Sequence, residues 1–145
     1  MTTAWPVVAA KLVDLFTAAG ASQVFYGQPV TASSAKEYVT VGFVEDDDGG
    51  GYAIEPIYDG TMLGETGSVV CQIVAQSGDT DISVHRSRVF AIADAFQAAV
   101  RADRTLGGVL STDGTCTTEV AVRGLQNQGG SAQSLVITAN YSTRY

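Results

Sequence analysis

Hydrophobic and polar positions alternate along this chain with two different periods. Between Ser83 and Gly108 the large apolar residues Val89, Ile92, Phe96 and Val100 recur at steps of three and four, with Ala93 and Ala99 on the same side. That spacing is one stripe of a 3.6-residue helix, and Arg88, Asp94, Gln97, Arg101 and Asp103 lie mostly away from it. Asp81 or Ser83 can cap the start, and Gly107-Gly108 is predicted to close the end. Burying the four large side chains contributes roughly 6–12 kcal/mol, comparable to the net stability of a domain. The rest of the chain is therefore expected to pack against this helix. A second stripe, Val8, Leu12, Leu15, Phe16 and Ala19, predicts a helix over Trp5–Ala19, with Pro6 in its first turn and Gly20 as its stop.

Elsewhere the period is two, which predicts strands. Gln23–Gln28 is short and closed by Pro29, and a small polar loop follows over Thr31–Lys36. Glu37–Val44 alternates, with Val39, Val41 and Phe43 on one face and Tyr38, Thr40 and Gly42 on the other, as in a half-buried strand. Tyr52–Tyr58 is a further strand, in which Pro56 marks an edge or a bulge. Asp59–Gly67 reads as a turn-rich connection, and Thr66–Ser77 as the strongest strand. Val109–Thr112 is short and extended, and Asp113-Gly114 has the composition of a hairpin turn. The last two strands are Cys116–Arg123 and Ser134–Tyr141, joined by the Gln-, Asn- and Gly-rich stretch Leu125–Ala132. This order predicts a single α+β domain over 1–145, a mixed and mainly antiparallel sheet packed against two main helices.

Composition sharpens the class without naming a chemistry. The 145 residues fit one domain, and 46% hydrophobic content argues for a packed core. A net charge of −7 and an isoelectric point of about 4.4 oppose any role built on gripping phosphates. No apolar run approaches the ~20 residues that span a bilayer, and the N-terminal stretch lacks the basic start and apolar block of a signal peptide. Cys71 and Cys116 lack metal-type spacing and read as buried, reduced thiols of a cytosolic protein; a disulfide stays open if their strands are neighbours.

Catalytic patterns are missing from the sequence. The one histidine, His85, sits in the run His85-Arg86-Ser87-Arg88 at a helix start and reads as a surface or interface residue. There is no nucleophile elbow, phosphate loop or dinucleotide fingerprint. Glu45-Asp46-Asp47-Asp48, followed by three glycines, offers oxygen ligands of the kind Ca²⁺ takes. Its acids are contiguous rather than alternating, so it reads as a solvated charge run, and neither a metal nor a cofactor is expected. Arg86 and Arg88 place positive charge at the start of the helix, against its dipole. Two readings are open: both arginines are solvated, or they face carboxylates of another subunit, with Glu45, Asp46, Asp47 and Asp48 as candidate partners.

Five segments in series carry a resemblance. They are the helix VVAAKLVDLFTAA, the strand Val24-Phe25-Tyr26-Gly27-Gln28-Pro29, and the Val-rich strand Tyr38–Asp46 ending in Val-Gly and acids. After them come the long strand VVCQIVAQSGD and the Arg-containing helix RVFAIADAFQAAVRADRTLGG. In this order the chain resembles the tail terminator (tail completion) proteins of long-tailed bacteriophages. The acidic loop and its glycine run have no clear counterpart in that pattern. The resemblance implies a non-enzymatic virion protein, assembled in the host cytoplasm. It would form a hexameric ring on the head-proximal end of the tail tube, stop tube polymerisation, dock the head–tail connector protein and leave a passage for DNA. An acidic lumen suits such a passage. The alternatives are a head-closure or neck protein, a tail tube subunit, or, in another class, a small-molecule-binding α+β module.

Overall fold

The computed structural model describes residues 3–26, 37–42, 52–59, 61–77, 83–127 and 130–144. The elements run α1 (Trp5–Ala18), β1 (Val24–Tyr26), β2 (Glu37–Val41), β3 (Tyr52–Asp59), β4 (Thr61–Ser77), α2 (Ser83–Ala102), β5 (Thr115–Asn127) and β6 (Gly130–Arg144). Six strands form one mixed sheet in the order β1-β2-β4-β6-β5, with β3 also paired to β4. Among the described strands only β1 and β2 run parallel; every other pair is antiparallel. This is the α+β class that the alternation predicts.

Both helices cover the same face of the sheet. α1 buries Val8, Ala9, Leu12 and Phe16, and α2 buries Val89, Ile92, Ala93, Phe96 and Val100. They meet where the rings of Phe16 and Phe96 stack, centroids 3.9 Å apart and planes within 2°. Beneath them lie Val39 and Val41 of β2, Val69, Cys71, Ile73 and Ala75 of β4, and Leu135, Ile137 and Ala139 of β6. Period two delivers all of these to one side. The opposite face carries a small second cluster in which Tyr38 and Val74 pack with Phe25. Tyr38 is 4% exposed and Thr40 1%, so β2 is buried on both faces rather than half-buried. On the second face Tyr38 packs against Val74 of β4 and Phe25 of β1.

β4 is the largest departure from the sequence reading. Asp59–Gly67 is not a connection: residues 61–77 form one strand, and β3 and β4 meet at Asp59 and Thr61 in a tight hairpin. β4 takes β3 against its first half and β2 against Cys71–Ala75, while β6 runs along its other edge from Gly64 to Ser77. The glycines that suggested a turn are there for close approach. A Cβ on Gly64 would run into the carbonyl of Thr143, and one on Gly67 would lie 2.5 Å from the Tyr141 hydroxyl. Pro56 does sit beside an irregularity, since the β3–β4 register shifts between Ile57 and Tyr58.

Two further boundaries move. α2 ends at Ala102, not at Gly107-Gly108, because Asp103 folds the chain into a turn. Its carboxylate accepts from the Thr105 amide and hydroxyl and from the Gly107 amide. Leu106, buried and at φ 55°, leads into that turn's two left-handed glycines. The polar stretch Leu125–Ala132 is mostly strand: β5 and β6 pair as far as Asn127 and Gly130. Asp113-Gly114 consequently precedes β5 instead of joining two strands. Cys71 and Cys116 are buried free thiols on β4 and β5, with β6 between the two strands. Burial pushes them up, Cys71 to about 12 and Cys116 to about 11.

Candidate functional site

Three arrangements stand out, and the first holds the N-terminus of α1. Glu65 is fully buried on the helix-covered face of β4. Its Oε2 accepts from the Tyr141 hydroxyl and from Thr3 Oγ1, each at 2.7 Å, and its Oε1 accepts from the Ala4 amide at 2.6 Å. Ala4 is the N-cap and brings no side-chain bond of its own. The carboxylate from β4 therefore does the work of a cap, at the end of the helix where the dipole favours negative charge. Trp5 adds a second tie, its indole N–H donating to the Ser68 carbonyl at 3.0 Å. Gly67 leaves the room in which the Tyr141 ring lies. Gly42, at φ 79°, does the same for Trp5, whose ring atoms would meet a Cβ at 3.0 Å.

Glu65 is absent from the sequence-based candidates because it falls in the segment read as a turn. A signal was available: continuing the alternation of Ala75, Ile73, Cys71 and Val69 backward by two reaches Gly67 and then Glu65. This constellation binds the chain to itself. Glu65 is buried away from solvent within it.

The second arrangement is the arginine pair of α2. Two residues along a helix are about 200° apart around its axis, and the two side chains leave in different directions. Arg88 turns toward α1 and β2. Its Nε lies 3.1 and 3.0 Å from the two oxygens of Glu37, its Nη2 3.0 Å from Oε1, and Nη2 also donates to the Gly20 carbonyl. Burial raises the Glu37 carboxyl, but the hydrogen bonds from Arg88 and Ser22 outweigh it and hold the group below the usual carboxylate range. The hydrogen bond to Glu37 raises Arg88 in turn. Arg86 turns toward β6, its Nε donating to Gln133 Oε1 at 2.9 Å. The two arginines do not form one patch. Glu45, Asp46, Asp47 and Asp48 lie outside the described residues. Because α2 starts at Ser83, Arg86 is its fourth residue and Arg88 its sixth, so Arg88 lies beyond the first turn, where the dipole penalty is greatest.

The third arrangement is a broad concavity of about 620 Å³ on the sheet face away from the helices. One cross-strand row, Glu55–Thr66–Ser142–Thr115, spans β3, β4, β6 and β5; the next carries Ser68, Asn140 and Thr117. The lining mixes hydroxyls, one amide and one carboxylate with Ile54, Gly67 and Tyr141. Its polar groups can hydrogen-bond a polar surface or a hydroxylated ligand, but none of them pairs a nucleophile with a base. Among the described residues no group of three or more His, Cys, Asp or Glu could hold a metal ion. Also among them, no helix is long and apolar enough to cross a membrane.

Comparison with known proteins adds no assignment: no family model matches the chain, and no curated protein matches it.

Proposed function

We propose that the chain is a structural protein of a phage virion, a tail terminator that caps the tail tube as a hexameric ring. In this reading it halts tube polymerisation, presents its other ring face to the head connector, and lets DNA pass through an acidic opening without binding it. The observation that carries the reading is the serial order of five sequence segments, borne on α1, β1, β2, β4 and α2 of one two-layer unit. The work is then done by surfaces. A formal charge of −7 supports the DNA passage, because a negative wall lowers the affinity of a polyanion.

Electron microscopy of tails assembled with and without the protein tests this. Overlong tubes are expected in its absence; tubes of normal length would overturn the reading. A second reading, a small-molecule-binding module, has one observation in its favour, the concavity of mixed lining on the sheet face away from the helices. A panel of hydroxylated metabolites that raises the melting temperature of the wild type, but not of a Thr66→Val/Asn140→Leu variant, would favour that module.

A further inference from the structure

β5 forms one margin of the sheet: among the described residues its only strand partner is β6. In an antiparallel ladder alternate residues turn their N–H and C=O groups toward the neighbour, so half of this 13-residue strand's backbone groups point outward. Long free margins are usually blunted or covered. This one is instead apolar where it is widest open. Val120 and Val122 are 40% and 58% exposed, on the face that α2 covers further in. Phe90 of α2, 39% exposed, lies on the stretch of that helix between Arg86 and Gln97. Its position is bracketed by two contacts: Gln97 donates to Thr118 of β5, and Arg86 reaches Gln133, the cross-strand partner of Gly124.

The sequence along this margin reads Glu119-Val120-Ala121-Val122-Arg123, an acid and a base placed symmetrically about Ala121. We propose that β5 pairs antiparallel with β5 of a second copy of this chain, about a two-fold axis through Ala121, giving a dimer with a continuous twelve-stranded sheet. About that axis, Val120 falls opposite Val122 of the second copy and Glu119 opposite Arg123, each twice. Charge complementarity and matched apolar positions favour a second copy over a strand of unrelated sequence. The register is also permitted by the backbone, since Val120 and Val122 share the same outward or inward sense. Oppositely charged pairs across strands stabilise, and like charges oppose pairing. An isologous contact of this kind closes on itself as a dimer, so it is independent of the ring contacts proposed above and does not rest on the virion reading.

The test uses the full chain in solution. Sedimentation equilibrium is expected to give twice the 15.1 kDa chain mass. Glu119→Arg alone and Arg123→Glu alone each weaken the dimer by roughly tenfold or more, and the two together restore it. Ala121→Cys reports the axis directly: opposed residues there have Cα atoms about 4.5–5.5 Å apart, within disulfide range. Under mild oxidation this variant forms a covalent dimer, whereas Thr117→Cys does not. Circular dichroism shows which variants fold, and Ala121→Cys, an exposed and small change, keeps the test decisive if a charge variant does not. A monomeric wild type, a double reversal that stays dissociated, or a hexamer in which Ala121→Cys fails to cross-link each overturns the proposal; the last leaves the ring reading standing.

Discussion

Glu65 joins the two layers through three hydrogen bonds from residues far apart in the chain. A carboxylate buried this completely is tolerable only because its oxygens are occupied and the helix terminus offsets its charge. Glu65→Ala leaves the Ala4 amide and the Tyr141 hydroxyl without that acceptor and is expected to cost about 3 kcal/mol; Tyr141→Phe is expected to cost about 1.5–3 kcal/mol. Urea unfolding followed by circular dichroism measures both, and a change below about 0.5 kcal/mol for Glu65→Ala would contradict the capping role. Glu37 acts at the surface and with the opposite visibility. Its folded-state pKa is lowered, so its contribution is present above the unfolded value and lost as pH falls through the folded one. Glu37→Gln should cost no more than about 1 kcal/mol at neutral pH and should flatten the acid limb of the stability curve. The Cys71 thiol, pushed up to about 12 by burial, should resist alkylation at pH 8 until denaturant opens the core. Rapid labelling of the native protein would show that the β4 interior opens readily.

At the scale of elements, helices were the most legible part of the sequence. Val89, Ile92, Phe96 and Val100 are all buried as their spacing predicts, because a repeated stripe of large side chains has few other solutions. β4 was legible only in its second half. Its first half carries Gly64 and Gly67, and glycine is the residue of turns as well as of crowded strands. One sequence does not distinguish the two, since the crowding comes from Thr143 and Tyr141, some 75 residues further on. The same limit hid Glu65, whose partners are set by the fold. It also let the polar end of the β5–β6 hairpin pass for a loop, although backbone pairing holds those strands to Asn127 and Gly130. Arg86 and Arg88 were visible as charges near a helix start, but their opposite directions follow from where α2 lies between β2 and β6. Three substitutions probe these elements. Gly67→Ala should cost about 1–3 kcal/mol through displacement of the Tyr141 ring. Phe16→Ala and Phe96→Ala should each cost about 3–5 kcal/mol. Their double mutant should fall short of the sum by about 1 kcal/mol, the share of the stacked pair. Equilibrium denaturation of the four proteins closes that cycle, and strict additivity would separate the two rings energetically.

For the molecule as a whole, the sheet presents one face to the helices, the other face carries the cluster of Tyr38 and Val74 and the concavity, and the charge balance is strongly acidic. The strand order puts β6 between β4 and β5, so the last strand in the chain completes the middle of the sheet. A ribosome delivers this strand after everything it must join. Until it emerges, β4 lacks one neighbour, β5 has none among the described strands, and Glu65 has no Tyr141 to meet. The nascent polypeptide therefore has no complete core to close early, and its contact order is high because the decisive pairings link distant positions. Folding in milliseconds to seconds rather than microseconds follows, and a stopped-flow refolding rate would read it directly. Translation stalled before β6 would leave β4 bare along one side, an open template for other chains.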